Sequence, residues 1–209
     1  MIKLAREGYP YIAFSAAITL IAVITGGIWI ALLPLLLTIF MVYFFRDPER
    51  AIPEGDNIFV SPADGKVILI QNVKEEQYLK NETVEISIFM SPLNVHVNRV
   101  PCDGVVESVV HTRGKFMSAF KPEASLQNEN IAMLLNTSNG RILVRQVAGF
   151  IARRAVCRAK PGDALKKGQR YGIIKFSSRL DVYLPKNVSL DIKLGDSVKA
   201  GETILAHKI

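Results

Sequence analysis

The chain has 209 residues, enough for one ordinary domain or for a smaller domain plus a membrane segment. Hydrophobic residues make up 49% and mean hydropathy is +0.23, both high for a wholly soluble protein, with the excess concentrated near the N-terminus. Lysine and arginine outnumber acidic residues by 26 to 19, and the resulting +7 suits an anionic surface, either nucleic acid or phospholipid headgroups. The two cysteines, Cys102 and Cys157, come without a CxxC or a His-rich run, so no structural zinc site or other metal is expected. Two free, buried, cytosolic thiols are expected in preference to a single disulfide.

Residues 9–45 contain no charge at all. Two apolar runs, 12–25 and 28–45, are split by Gly26-Gly27, and Pro34 lies inside the second. As one helix, residues 12–45 would extend roughly 50 Å, well beyond a hydrocarbon core of about 30 Å. Two short spans or a re-entrant hairpin fit better. Lys3 and Arg6 flank one end, Arg46 and Arg50 the other, which favours both ends on the cytoplasmic side. A secretory signal fits poorly, because the run is too long and no small-residue cleavage site follows. Residues 1–45 therefore read as a retained anchor in the cell membrane.

Residues 46–56 are charged and contain proline, as a linker does. From 57 to 209, short apolar or alternating runs follow one another between turn residues: 58–60, 66–70, 84–90, 105–110, 131–135, 142–147, 172–176, 179–184 and 203–206. No sustained helical period appears beyond a single turn near 150–154. This predicts a mostly β domain, a sandwich or barrel-like sheet. Pro161-Gly-Asp-Ala-Leu-Lys-Lys-Gly168 and Leu194-Gly-Asp-Ser-Val-Lys-Ala-Gly201 repeat one pattern 33 positions apart, each followed by an apolar strand. The pair resembles the hammerhead turns of biotinyl/lipoyl-type domains. No carrier lysine sits in a Met-Lys-Met setting, so the likeness concerns fold only.

Ser61-Pro-Ala-Asp-Gly-Lys66 puts Asp64 in a tight turn before a strand, which is ordinary turn chemistry by itself. In Ser91-Pro-Leu-Asn-Val-His-Val-Asn-Arg-Val-Pro101, His96 and Asn98 share a face if the segment is extended. His96 is one of three histidines; His111 and His207 lack a comparable setting and are expected on turns or surface. Ser177-Ser178, between Phe176 and Arg179, reads locally as a polar turn or bulge. No GxGxxG, Walker A, HExxH or GxSxG stretch is present, which leaves nucleotide, zinc-protease and hydrolase-elbow readings without a motif.

Taken in order, the Pro-Ala-Asp-Gly turn, the Ser-Pro-x-x-Val-His-Val-Asn-Arg-x-Pro run and Phe176-Ser-Ser-Arg-Leu-Asp-Val-Tyr-Leu-Pro185 resemble the short, membrane-anchored prokaryotic type of phosphatidylserine decarboxylase. Gly114-Lys-Phe116, Asn128-Glu-Asn130 and Arg145-Gln-Val-Ala-Gly-Phe-Ile-Ala-Arg-Arg154 extend the likeness to essentially the whole chain. Each fragment is weak alone; in this order they are highly specific.

The resemblance implies a self-cutting precursor. Ser178 attacks the preceding carbonyl, the resulting ester β-eliminates, and the serine becomes an N-terminal pyruvoyl cofactor. The products would be a β chain, 1–177, and an α chain, the final 32 residues, 178–209. The pyruvoyl carbonyl forms a Schiff base with phosphatidylserine and serves as electron sink for loss of CO2. His96 is the imidazole available as base and as later proton donor, and Asp64 is expected to fix its tautomer. Long-type relatives carry a second histidine three residues after the first, where this chain has Arg99. The family's Gly-Ser at the cut is Ser177-Ser178 here, and a non-glycine residue at 177 is expected to slow or block maturation.

Arg145, Arg153 and Arg154, with Arg158 and Lys160, form a basic cluster expected to hold the lipid's phosphodiester or carboxylate; the bland reading is scattered surface charge. Phe116, beside Met117 and Phe120, is expected to touch acyl chains unless it belongs to the core. The partners implied are phosphatidylserine, membrane lipid and the sister chain of the same precursor, with a homodimer allowed and nucleic acid not expected. The catalytic domain would face the cytoplasm. A competing reading, from another class, is a non-catalytic anchored β-domain that binds anionic lipid or a protein partner; it would need neither a cleavable serine bond nor His96.

Overall fold

In the computed structural model, residues 3–115, 117, 124–149, 154–176 and 178–209 are described. The chain forms two compact units, Met1–Glu49 and Arg50–Ile209.

In the first unit the apolar run folds as α1 (Tyr9–Phe44), broken at Gly27, whose φ of 74° lies outside the helical region. Glycine takes that conformation without a Cβ penalty, and the chain doubles back there. The two arms are joined by a Thr19–Thr38 hydroxyl contact of 3.1 Å, and Tyr11 stacks on Phe45 at their open end. A Leu4–Arg46 antiparallel bridge ties the ends together. Each arm of about 17 residues runs about 26 Å, near the thickness of a hydrocarbon core. Phe14, Ile24, Trp29 and Leu33 point outward, so the hairpin presents an apolar surface compatible with a bilayer.

The second unit is mostly β, as its alternating pattern predicts. Its strands are β1 (Ile58–Val60), β2 (Gly65–Glu75), β3 (Asn81–Met90), β4 (Val97–Arg99), β5 (Gly104–Thr112), β6 (Asn130–Thr137), β7 (Gly140–Ala148), β8 (Ala155–Cys157), β9 (Ala164–Leu165), β10 (Arg170–Ile174), β11 (Ser178–Pro185), β12 (Val188–Leu190), β13 (Ser197–Val198) and β14 (Ile204–Lys208), with one helical turn, α2 (Ala124–Gln127). A curled eight-stranded sheet has the order β13-β2-β3-β11-β7-β6-β5-β9, and two three-stranded sheets have the orders β1-β14-β12 and β4-β10-β8. The main core lies between them, built from residues such as Phe59, Ile86, Ile88, Met133, Val144, Tyr171, Val182 and Leu205.

These orders are symmetric. Reading the large sheet from either end exchanges β2 with β5, β3 with β6 and β11 with β7; the same exchange turns one small sheet into the other. The hydrogen bonds repeat as well. Gly195 N donates to Val67 O as Gly162 N does to Val106 O, both at 2.8 Å. Val67 N and Val106 N donate to the carbonyls of Asp196 and Asp163, both at 2.9 Å. The twinned turns include the 33-residue echo and a second one, Pro62-Ala-Asp-Gly65 with Pro101-Cys-Asp-Gly104. A Cβ on Gly65 would strike the Phe89 carbonyl oxygen, and one on Gly104 that of Asn136, so both turns need glycine for the same close approach. One repeat, β4 to β10, is continuous. The other is split into β1–β3 and β11–β14, with the continuous repeat inserted between β3 and β11. Ser178 opens the first strand after that insertion.

Candidate active site

Ser178 begins β11 and its side chain is fully buried. From that residue onward the strand is paired on both sides, with Ser178 opposite Met90 of β3 and Ala148 of β7. Alternation sends Leu180, Val182 and Leu184 into the core along with Ser178. Its Oγ lies 3.4 Å from Met90 Sδ. Two residues upstream, Phe176 has φ 59°, a left-handed conformation that costs an aromatic residue on the order of 1 kcal/mol. Thus Ser178 follows a strained bend and opens a fully paired ladder. Ser177 lies outside the described residues.

His96, also fully buried, immediately precedes β4. Its backbone carbonyl accepts from Ile174 N at 3.3 Å, which sets it beside the end of β10 that leads to Ser178. Its Nδ1 is 3.0 Å from the Asn94 carbonyl oxygen. A carbonyl only accepts, so Nδ1 carries the hydrogen and Nε2 is the basic nitrogen of the neutral ring. Two residues on, Asn98 donates to Met90 Sδ at 3.8 Å, and its Oδ1 accepts from Gln146 Nε2 at 2.8 Å. Met90 therefore touches both Ser178 and Asn98.

Asp64 has other partners than the expected histidine. Its carboxylate accepts from Arg50 Nη2 at 2.7 and 3.0 Å and from Ala200 N at 2.7 Å. The ion pair is buried, with side chains 8% and 11% exposed. The twin residue Asp103 takes the same kind of bond, from Lys167 N at 2.7 Å. Asp64 thus clamps a hammerhead turn, and the tautomer of His96 is set by Asn94. Its link to the histidine is indirect: Pro62 O accepts from Arg99 N at 2.9 Å, bracing β4 on the same turn.

Arg145 is on the opposite face of the sheet from Ser178, because Asp181, its cross-strand partner, alternates away from the core. It donates to Tyr183 Oη at 3.2 Å, Ser125 Oγ at 3.4 Å and Glu75 Oε1 at 3.5 Å. Arg179 lies beside it, bonded to Asp181 at 2.5 Å and Ser87 at 2.7 Å. Burial pushes the Tyr183 hydroxyl up, and it donates to Glu85 at 3.1 Å. Two guanidinium groups are thus matched by Glu75, Glu85 and Asp181, and an anionic headgroup would have to displace carboxylates to reach them. The sequence expectation for Arg145 is to hold the lipid's phosphodiester or carboxylate; in the structure its side chain sits among carboxylates on the face of the sheet away from Ser178. Arg154 is exposed, and its carbonyl accepts from Lys175 N at 3.3 Å, close in sequence to Ser178. Arg153 and Phe116 lie outside the described residues.

The sequence reading assigned no role to Met90, Asn94, Asn98, Gln146 or Asn128. Buried Asn128 donates to Ala148 O at 2.8 Å, bracing the strand end opposite Ser178, and accepts from Met117 N at 2.9 Å. Its signal was its place in Asn128-Glu-Asn130, one of the runs that carry the family resemblance. Both cysteines are free, and burial pushes the Cys102 thiol up to about 12 and the Cys157 thiol up as well.

The profile of the phosphatidylserine decarboxylase family matches residues 37–206. A protein of Desulfotalea psychrophila named phosphatidylserine decarboxylase proenzyme is 44% identical over 100% of this chain and 98% of its own length. Proteins of the same name from Geotalea uraniireducens and Citrifermentans bemidjiense are 48% and 49% identical, each over 97% of this chain and 95% of their own length. With a profile that spans both His96 and Ser178 and relatives that match along nearly their whole length, the chain belongs to the phosphatidylserine decarboxylase family.

Proposed function

We propose that this chain is a proenzyme that cuts itself before Ser178 and, once cut, converts phosphatidylserine to phosphatidylethanolamine and CO2. The observation that carries the reading is the position of Ser178. It is a buried serine at the junction of two repeats, two residues after the strained Phe176 and at the head of a strand paired on both sides. The bond before it lies at the very start of the ladder, so after the cut the α chain, 178–209, is still held by the pairs from Arg179 onward in the middle of the sheet.

In this reading His96 Nε2 takes the proton of Ser178 Oγ as that oxygen adds to the preceding carbonyl. Collapse breaks the C–N bond and leaves an ester. Loss of the Ser178 α-proton expels the carboxylate of residue 177, and water then replaces the nitrogen, releasing ammonia and leaving a pyruvoyl group. The residues present fit such a group: Ser178 and Met90 are fully buried against each other, and β11 is held by β3 and β7 on its two flanks. Held there, the group would supply an electrophilic carbonyl for the substrate amine and a sink for the electron pair freed with CO2. His96 returns a proton to the product carbon. Asp64 acts as a positioning residue through the turn it clamps. Arg154 and Arg153 meet the phosphodiester, and Phe116 the acyl chains. Residues 1–45 anchor the chain in the cell membrane, and 46–56 lead to a catalytic domain, 57–209, on the cytoplasmic side. Ser177, where the family has glycine, slows maturation.

The test uses the full chain in detergent with vesicles containing phosphatidylserine. Mass spectrometry is expected to show fragments ending and beginning at 177 and 178, faster in Ser177→Gly, together with CO2 release that borohydride abolishes. An intact chain and no CO2 in both proteins would favour a non-catalytic lipid-binding domain instead.

A further inference from the structure

The pseudo-symmetry supplies an internal control for the candidate site, because each residue there has a twin in the same backbone setting. Asn98 pairs with Gly172 as Phe59 pairs with Ala206. Gln146 pairs with Ile131 as Leu184 pairs with Val84. Phe59 and Leu184 are members of the apolar core. The fold therefore accepts apolar side chains at both positions, yet next to Ser178 it carries two fully buried carboxamides. A buried amide without good partners destabilises by about 1–3 kcal/mol, so the pair calls for a reason other than packing.

The orientation of these amides follows from one obligatory acceptor. Gln146 Nε2 faces the Val156 carbonyl at 3.4 Å, and a carbonyl accepts only, so that atom must be the nitrogen. Its other hydrogen goes to Asn98, whose facing atom must then be Oδ1. That leaves Asn98 Nδ2 aimed at Met90 Sδ, the same sulfur that touches Ser178 Oγ. Gly172 makes the relay fit, since a Cβ there would meet both the Val156 carbonyl oxygen and Gln146 Nε2. A thioether is a weak acceptor. A well-aimed N–H donor thus rests on a poor partner, and the partner is a flexible side chain that can give way.

Given that Ser178 is the cleavage serine proposed above, we infer that Asn98 is a further catalytic residue of the self-cleavage and Gln146 the positioning residue that aims it. When Oγ bonds to the preceding carbonyl carbon, the carbonyl π pair moves onto an oxygen only two bonds from Oγ. Negative charge then develops beside Met90, where Asn98 Nδ2 points. The Oγ proton passes to His96 Nε2, and the charge on oxygen collapses back as the C–N bond breaks and the amine takes a proton. A preoriented donor that meets its acceptor only while the charge exists lowers that barrier without stabilising the uncut chain.

The experiment follows cutting of freshly translated full chain by mass spectrometry, in the natural sequence and in Ser177→Gly. Asn98→Leu is expected to slow appearance of the 178–209 fragment about 10²–10³-fold. Asn98→Asp, which keeps an acceptor for Gln146 but loses the donor, is expected to be no faster. Gln146→Leu, which installs the twin's residue, slows cutting less, about tenfold, because it leaves the amide of Asn98 unaimed but present. Thermal midpoints in the same detergent are expected to stay level or rise, separating lost chemistry from lost fold. Added hydroxylamine, which cuts an accumulated ester, is expected not to restore the rate, since the slowed step precedes the ester. Natural-rate cutting in a folded Asn98→Leu, or full rescue by hydroxylamine, overturns the role of Asn98 while leaving Ser178 in place. No cutting in either parent overturns the function proposed above and this role with it.

Discussion

The two repeats of the β-domain share their turns and ladders and differ where chemistry is expected. Asp64 and Asp103 each accept a hammerhead N–H at 2.7 Å, and Gly65 and Gly104 each allow a strand to approach closely. At the other end of the same strands the twins diverge. His96 and Asn57 occupy matching positions, their carbonyls taking Ile174 N and Lys208 N. Asn98 stands opposite Gly172 where Phe59 stands opposite Ala206, and Ser178 pairs with Met90 where Gly140 pairs with Thr137. What the repeats share is explained by folding, and what only one has is a candidate for function. That criterion makes Asp64 a candidate for folding, and His96, Asn98, Gln146 and Ser178 candidates for function.

The sharpest way to break the comparison is to remove the hydroxyl. Ser178→Ala is expected to abolish cutting altogether, leaving one intact chain by mass, with the fold unchanged by circular dichroism because the small side chain only faces a sulfur. His96→Asn, which makes the site match its twin, is expected to slow cutting about 10²–10⁴-fold. Added imidazole that restored the rate would confirm a missing base, and cutting at the natural rate would remove His96 from the mechanism.

The paired aspartates come next. Asp64→Ala leaves buried Arg50 with Glu202 alone, at 3.4 Å, and is expected to cost about 1–3 kcal/mol in denaturant unfolding. Asp103→Ala should cost far less, since its partner Lys166 is exposed. Asp64→Asn keeps an acceptor for Ala200 N and is expected to lower the cutting rate no more than about tenfold. Loss of cutting at an unchanged melting point would instead revive a direct role for the carboxylate at His96.

The smallest effect concerns Cys102, whose twin is Ala63. Burial raises its thiol from 9.0 to about 12 in the folded chain. Its contribution to stability is therefore complete below pH 9 and is lost as pH climbs from about 9 towards 12. Cys102→Ala is expected to flatten that part of the melting profile at little cost near neutrality. Tyr171 and Tyr183, shifted in the same direction by burial, keep a residual alkaline slope.

Much of this was legible in the chain. The alternation of 179–184 predicts a strand that the structure contains, because a buried face imposes period two over several residues, and the short run 58–60 is marked as a strand by three apolar residues directly after turn residues. Strands β8, β9, β12 and β13 span only two or three residues, too few to display a period, and their existence depends on a neighbour's free edge. The hammerhead echo was visible at 33 positions, whereas the Pro62–Gly65 and Pro101–Gly104 echo gained meaning only when both turns were seen to hold the same kind of bond.

By itself the sequence determined the mostly β class, the apolar segment with its break at glycine, the family, and the serine and histidine singled out for chemistry. These rest on local composition, on period and on residue order, which a linear chain carries in full. The tertiary structure decided the pairings. It gave Asp64 to Arg50 and Asn94 to His96, carried Arg145 through the sheet to the outer face, and set Gln146 against Asn98 across 48 residues. Such partners are chosen by strand order and register, and a shift of one residue would have turned each of these side chains to the other side.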